Sequence, residues 1–583
     1  MKDKTTSIYK NAILNKATDV LQIFIKYIIV IISMLFLGFI FLQSFFGSTF
    51  LDFCESSFFI EKPFWSTVLI VLIPILIAII VKIILQKYSI SIVTPNYIFL
   101  GIVTVVYTIL MIMFVYKTGI PAMDDQELIL NAANDLLNNV PDMWDKGAYC
   151  YRFPNQNGFV LFVALGLKMF GADNQMVFQY LNIPILILSS FFLSKTIYLL
   201  FDDKKLARYS YILLLGFFQL NCYVTFVYGT LYGLAASVAG IFLLIKYFKK
   251  RNIVNGLVGI SLLSIGYGFK SNYLIMLVAA CLLLLFDAIV KKSLKSVITL
   301  VWGIVFYVII TTSISSTIYH LTGKKVDEGT PNTAWVAMGL QESYKAPGWW
   351  NGYNAKVFAD NEYDIPKTKE AISQNISERM KELKKDKEYT LSFFSKKTAS
   401  QWSEGTFECF YITNLDRGRL SNPTWTDSVK NLMVDGHSAN RAVTTICNYF
   451  IVFLWLGIIL FLIFDFRKLD AYKLIFAITF IGGFLFHLVW EAKGQYTIIY
   501  AYLMIPYMLR GYQLLLRRVC NISLGEKEAK EKRGTIIPVV VIALVVIVIG
   551  ISNNKVVNET IKLNGDKERY ESYMSHQVDD LDD

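Results

Sequence analysis

Long apolar runs alternate with short polar loops along most of the chain. Thirteen of these runs are candidates to cross a bilayer, although 209–223 and 254–269 are short. The first run is too long for the apolar core of a signal peptide and lacks a small-residue cleavage site, so it is read as a span. The pattern predicts an all-α polytopic membrane protein with about 13 transmembrane helices. The runs are 22–47, 65–86, 97–116, 175–200, 209–223, 231–248, 254–269, 273–290, 296–316, 447–465, 472–490, 497–516 and 536–551.

The composition supports this prediction. Hydrophobic residues make up 55% of the 583 residues and charged residues 17%, and the mean hydropathy is +0.48. Soluble globular chains are about 45–50% apolar and about 25% charged, so a soluble enzyme, a disordered chain and a coiled coil are excluded. The seven cysteines form no CxxC pair and the four histidines are dispersed. We therefore expect no metal site, no cofactor and no disulfide framework.

The basic residues orient the predicted spans. If the N-terminus is cytoplasmic, the inner loops hold 24 Lys and Arg residues and the short outer loops hold 6. This asymmetry is the positive-inside pattern, and it accounts for the net charge of +11 without a nucleic-acid partner. The outer six are Lys62, Lys117, Lys146, Arg152, Lys270 and Lys493.

This orientation divides the chain into four parts. Residues 1–316 form an N-terminal transmembrane part, 317–446 a mixed extracellular domain, 447–551 the last transmembrane helices, and 552–583 a solvated acidic tail outside. Within the first part, 117–157 is an outer loop. Residues 158–172 are apolar but only 15 long, and they predict an interfacial helix that dips into the outer face. Residues 366–390 predict a charged helix with Pro366 near its start.

An acidic pair begins the first outer loop. Asp124 and Asp125 follow the third span, where the bilayer edge and mutual repulsion would raise a carboxyl pKa and could create a general base. The alternative is that one of them caps a helix that starts near Gln126. Both roles are compatible.

Polar residues follow in the same loop, and one cation stands alone further along. Arg152, Asn155 and Gln156 offer a planar cation and two amides before the interfacial helix, or else form a turn with a snorkelling Arg. Lys270 lies in an otherwise uncharged outer loop. It could bind a lipid phosphate or could be an ordinary snorkelling Lys.

Two further groups lie near the outer boundary. The sequence HLVWEAKGQY places Glu491, Lys493 and Tyr496 at the end of a span, where ionisable residues often mark substrate paths, although Glu491 and Lys493 could pair with each other. Trp349 and Trp350 belong to a stretch rich in aromatic residues, which suits either sugar faces or a membrane interface.

These motifs resemble the GT-C superfamily of membrane glycosyltransferases, nearest to the protein O-mannosyltransferase and aminoarabinose-transferase type and its relatives in Gram-positive envelopes. The resemblance rests on the acidic pair, on RFPNQNGFVLFVALGLKMFG and on EAKGQY. The chain departs from the family where Asn155 follows a single Pro154, and where Gln495 replaces an Arg that commonly precedes the Tyr.

The resemblance implies a GT-C-like bundle and an inverting glycosyltransferase. The donor would be a sugar on polyprenyl phosphate, and the acceptor an envelope glycan such as a cell-wall polysaccharide or teichoic acid at the outer face of a bacterial cell membrane. Asp124 would be the base and Asp125 its support, while Lys270, Arg152 and Lys493 are candidates to hold the phosphate. The alternatives are a ligase or polymerase of lipid-linked oligosaccharides, and a transporter or flippase. The segment 317–446 is expected to pack over the mouth of the site.

Overall fold

The computed structural model describes residues 2–52, 54–88, 94–119, 121–171, 174–413, 425–520 and 566–579. Helices dominate it. They are α1 Lys2–Phe46, α2 Phe64–Tyr88, α3 Tyr97–Thr118, α4 Asp125–Asn138, α5 Tyr149–Arg152, α6 Asn157–Phe170, α7 Met176–Phe201, α8 Lys204–Leu215, α9 Phe218–Cys222, α10 Gly229–Lys250, α11 Ile253–Phe269, α12 Leu274–Lys291, α13 Leu294–Thr322, α14 Thr333–Gly339, α15 Tyr353–Asp360, α16 Ile365–Lys385, α17 Lys387–Trp402, α18 Cys409–Thr413, α19 Asp427–Met433, α20 Ser438–Phe464, α21 Ile475–Val489, α22 Gly494–Cys520 and α23 Asp566–Asp579. An antiparallel hairpin, β1 Gly47–Leu51 with β2 Ser57–Glu61, follows α1.

Eight helical segments of the described chain are long and apolar enough to span a membrane, which confirms the polytopic helical class. Of the thirteen predicted spans, 65–86 lies within α2, a helix of 25 residues, and 254–269 is a helix of 17 residues. The run 497–516 lies within α22 but is not among the eight, and 536–551 lies outside the described residues. The eight are Thr18–Phe46, Tyr97–Thr118, Met176–Phe201, Gly229–Lys250, Ser271–Lys291, Leu294–Thr322, Asp427–Phe464 and Tyr472–Val489.

The predicted span 209–223 is a broken helix. α8 ends at Leu215, with Gly216 as its C-cap, and α9 is a separate helix of only five residues. At the start of this stretch, Asp203 lies 3.6 Å from the Arg510 guanidinium in the second half of α22. At its far end, Tyr228 approaches Asp125 at the start of α4. Two short helices thus lead from one end of the bundle to the other where one continuous helix was expected.

Close helix packing explains the position of several glycines. α10 and α11 cross where Gly240 faces Gly259, and a Cβ at Gly240 would lie 2.6 Å from the Gly259 carbonyl oxygen. Small residues at such crossings let two backbones approach each other, which is a common way to join membrane helices.

The described residues of the segment 317–446 form the end of α13, helices α14–α19 and the start of α20. The predicted charged helix is present as α16, where the Asp364 side chain caps the helix by accepting from the Lys367 backbone N–H at 2.8 Å. It ends at Lys385, earlier than expected, because Asp386 caps the next helix by accepting from Tyr389 N–H at 2.9 Å.

Part of the predicted acidic tail is packed, which corrects the expectation that it is solvated. Helix α23 lies on the hairpin, where the Asp566 carboxylate accepts from the Phe59 backbone N–H at 3.0 Å. The Tyr570 ring stacks on Phe50 with centroids 4.6 Å apart. Tyr570, Tyr573 and Met574 recur at helical spacing among the charged residues, and this stripe supplies the apolar contact.

Candidate functional site

Side chains from four distant segments form a continuous line of contacts at one end of the bundle. The Tyr228 hydroxyl donates to the Asp125 carboxylate at 3.4 Å. The Lys270 ammonium lies 3.7 Å from the centre of the Tyr228 ring and 5.5 Å from that of Tyr496. The Tyr496 hydroxyl in turn donates to Glu491 at 3.3 Å. The acidic pair, the lone lysine and the late EAKGQY motif, which the sequence suggested separately, are therefore neighbours.

Lys270 is the buried cation of this line. It is 8% exposed, and it follows directly on α11, with its backbone N–H still bonded to Gly266. Burial lowers the pKa of Lys270 to about 7, against the opposing pull of the Asp125 and Glu491 charges. A cation held this way between aromatic rings, with little solvent, gains strongly from an added anion.

Asp124 stands at the N-cap position of α4 without acting as a side-chain cap. Helix α4 begins at Asp125, and the Asp124 side chain makes no capping hydrogen bond. Its backbone has φ 53° and ψ −130°, a region that non-glycine residues rarely occupy. Burial, followed by the Asp125 charge, raises the pKa of the Asp124 carboxyl, although both side chains are open to solvent on one side. The capping alternative is wrong for Asp124, whose carboxylate is free to accept a proton.

Lys493 belongs to an ion cluster rather than to a pair with Glu491. Its ammonium lies 2.7 Å from the Glu55 carboxylate and 3.8 Å from that of Glu408. Lys345 binds the other oxygen of Glu55. Burial raises the pKa of Glu55, but Lys493 and Lys345 together outweigh it and the pKa lies below its usual value.

Glu491, without a short ion pair to Lys493, keeps its contact with Tyr496. Burial raises the pKa of Glu491 to about 7, although the nearby Lys493 charge opposes the rise. The residue is 5% exposed, and its charge acts on Lys270.

Sequence reasoning missed Glu55, Glu408, Lys345 and Tyr228. The hairpin turn brings Glu55 in, since the Ser57 N–H donates to the Lys345 carbonyl at 2.7 Å. Glu408 accepts from the Gly494 N–H at 2.6 Å and so fixes the start of α22. For Glu55 and Glu408, the sequence offered only an acidic residue among aromatic neighbours. A single sequence cannot distinguish such a buried carboxylate from a surface charge.

The loop 149–156 contributes mainly support. Gln156 is buried and its amide donates to the Tyr228 hydroxyl, which holds that ring under Lys270. Asn155 is exposed. The Arg152 guanidinium lies over the Phe153 ring at 5.2 Å, and its carbonyl accepts from the Thr330 N–H at 3.0 Å.

The two tryptophans occupy different environments. Trp349 is 1% exposed and its indole N–H donates to the Ser400 hydroxyl at 2.8 Å. Its expected role as a sugar-stacking surface is therefore wrong, because its faces are covered by protein. Trp350 is 44% exposed, with the Lys345 ammonium 5.3 Å from its ring centre, and it keeps an open face.

A buried lysine fixes the loop that carries Glu491 and Lys493. The Lys397 ammonium, from α17, donates to the carbonyls of Gly339 and Trp490, the latter at 2.8 Å. Gly348 has φ +76°, and a Cβ there would lie 2.6 Å from the Lys397 side chain. Three segments of the chain thus meet around one ammonium beside the site.

The fold defines an integral membrane protein with a group of ionisable residues at one end of its helical bundle. Residues 24–516 match the model of a family described as conserved hypothetical integral membrane protein, and the chain belongs to that family. No curated protein and no solved structure matches the chain.

Proposed function

We propose that the protein is a membrane glycosyltransferase of the GT-C type. It transfers a sugar from a polyprenyl-phosphate donor to an envelope glycan at the outer face of a bacterial cell membrane, with its N-terminus in the cytoplasm. The observation that carries the proposal is the line from Asp125 through Tyr228, Lys270 and Tyr496 to Glu491, with Asp124 beside it. The line joins the Asp125 carboxylate to the buried Lys270 cation, and the proposed base, Asp124, is the residue next to Asp125.

The reaction needs few groups. The acceptor hydroxyl attacks the anomeric carbon, the bond from that carbon to the phosphate oxygen breaks, and Asp124 takes the hydroxyl proton. The phosphate leaves as an anion and needs positive charge more than a general acid. One carboxylate base is therefore sufficient, unlike the carboxyl pairs of glycosidases.

Lys270 is the best-placed phosphate ligand. Lys493 is already paired with Glu55 at 2.7 Å, and Arg152 lies over Phe153. Lys270 contacts aromatic rings, and its nearest described acids, Asp125 and Glu491, act on it as neighbouring charges. A phosphate would therefore meet an ammonium that is not already neutralised by a close carboxylate.

The test uses a deletion strain and analysis of its envelope sugars. Wild-type protein should restore a sugar that the deletion removes, and Asp124→Asn should not, because a lost general base costs about 10²–10⁴-fold in rate. Glu127→Gln, an exposed carboxylate in the first turn of α4, is the matched control and should restore it. An Asp124→Asn variant that restores the sugar while Asp125→Asn fails would reverse the two roles. Full activity of both variants would refute the mechanism.

A further inference from the structure

Three basic side chains converge on one exposed aromatic ring at the end of the bundle opposite Asp124. The ring is that of Tyr97, which begins α3, and the chain leaves the other end of this helix towards Asp124. The Arg208 guanidinium of α8 lies 4.2 Å from the centre of the Tyr97 ring, and the Lys195 ammonium of α7 lies 5.8 Å from it. The charge of Lys204 also acts on the Tyr97 hydroxyl. In the proposed orientation, this basic cluster lies at the cytoplasmic leaflet.

Contacts with protein hold two of these cations side by side. One N–H of the Arg208 guanidinium donates to the Pro95 carbonyl oxygen at 2.5 Å. The Lys195 ammonium lies 5.2 Å from the centre of the Phe191 ring, in addition to its contact with Tyr97. A guanidinium carries five N–H donors in a planar fork, which suits two oxygens of a phosphate, and an ammonium adds a point charge.

No described carboxylate neutralises the basic cluster by a close ion pair. Two acids lie between α7 and α8. Asp203 is already bound to Arg510 and Arg517, at 3.6 and 3.5 Å. Asp202 is exposed at the C-cap of α7 and forms no ion pair among the described residues. The residues that lead into α3, 82–96, include two lysines and no Asp or Glu. An added anion would therefore meet uncompensated positive charge.

Exposed apolar side chains continue from the basic cluster along the membrane. On α7, Phe191 and Leu188 precede Lys195 by one and two helical turns, so they lie on the same face, and both are exposed. On the neighbouring α3, Ile98 and Ile102 are exposed as well. This surface suits acyl chains and offers nothing to a free phosphate ion.

We propose that the basic cluster binds the phosphate of an anionic phospholipid of the inner leaflet. The phosphate would lie between Lys195 and Arg208, with Lys204 adding charge, and the acyl chains would lie on the exposed faces of α3 and α7. The proposal goes beyond the glycosyl transfer proposed above and requires binding alone, so either can fail without the other.

The test is native mass spectrometry of the full-length protein in detergent, titrated with phosphatidylglycerol and with phosphatidylcholine. The wild-type protein should bind phosphatidylglycerol about 10-fold or more tightly than phosphatidylcholine. Lys195→Gln combined with Arg208→Gln should weaken phosphatidylglycerol binding about 30-fold, because each cation near an anionic headgroup contributes about 5-fold. Lys249→Gln combined with Lys250→Gln is the matched control. It removes two exposed charges at the end of α10, on the same side of the membrane, and should leave binding unchanged.

A second variant covers the case in which loss of the Arg208 contact with Pro95 disturbs the fold. Lys195→Gln combined with Lys204→Gln keeps that contact and should also weaken phosphatidylglycerol binding. Equal affinity for the two lipids would overturn the proposal, and so would an equal loss in the control, which would indicate general attraction to the basic side. Displacement of phosphatidylglycerol by millimolar inorganic phosphate would also overturn it, since the ligand would then be the free ion.

Discussion

At the scale of single residues, Asp124 combines an unfavourable backbone with an accessible carboxylate. A non-glycine residue at φ 53° and ψ −130° costs of order 1–3 kcal/mol, and such residues persist where the surroundings impose them. The side chain does not recover this cost by capping α4. Strain at an acidic residue that is acted on by the charges of Asp125 and Lys493 is typical of a functional site.

This strain predicts a difference between two substitutions. Asp124→Gly should raise the apparent melting temperature, because glycine accepts the positive φ without a clash, whereas Asp124→Ala should not. The two variants differ only in a methyl group, so their difference reports on the backbone. Scanning fluorimetry of the purified proteins measures it. Equal melting temperatures for the two variants would show that the backbone at residue 124 is not strained.

Lys270 predicts a pH dependence of stability. Its pKa in the folded protein, about 7, lies below the ordinary 10.5, so folding disfavours its charged form. The cost is complete below pH 7 and is relieved as pH rises from 7 towards 10.5. Lys270→Met should therefore stabilise the protein at pH 6, on the order of a few kcal/mol, and much less at pH 9.5.

The measurement is the melting temperature of Lys270→Met relative to wild type across this range. Lys117→Met, at an exposed position near the end of α3, is the control and should show no such trend. A stabilisation by Lys270→Met that does not change with pH would point to packing rather than charge as its cause.

At the scale of elements, the apolar runs predicted most of the long helices because length and hydropathy alone define a span. They could not predict the break between α8 and α9, where packing decides whether a short run stays continuous. The hairpin and α23 were missed for a related reason. Their contacts join Phe50 and Phe59 to residues about five hundred positions away, which no local pattern records.

The junction of α14, α17 and the 490–493 loop depends on Lys397. Replacing it by Met should lower the melting temperature markedly, because the carbonyls of Gly339 and Trp490 would each lose a buried donor, at about 1–3 kcal/mol apiece. Lys387→Met, on the exposed start of the same helix, should have little effect. Thermal unfolding followed by tryptophan fluorescence compares the two. A small effect of Lys397→Met would mean that the loop is held by its other contacts.

At the scale of the whole molecule, the residues proposed for chemistry lie at one end of the bundle and a separate ion network lies at the other. Arg510 there contacts Asp465 at 2.9 Å, and Arg251 is paired with Asp287. The sequence predicted the residues proposed for chemistry because they lie in the loops that contain few Lys and Arg residues. It could not predict that Lys493 would pair with Glu55, since that contact depends on how the hairpin folds back.

The last prediction is that α6 does not cross the membrane. Helix α6 has 14 residues and is about 21 Å long at 1.5 Å per residue, too short for a hydrocarbon core of about 30 Å. Both of its ends should therefore lie on the same side, and the 24-to-6 distribution of basic residues places that side outside.

Single cysteines at Asn155 and Asn174, both exposed, should react in intact cells with a membrane-impermeant maleimide. A cysteine at the exposed Lys249, at the end of α10, should react only after the cells are opened. Labelling of positions 155 and 174 from opposite sides would make α6 a span, reverse every later loop, and place the line from Asp125 to Glu491 across two faces of the membrane. The proposed transfer at one outer surface would then be untenable.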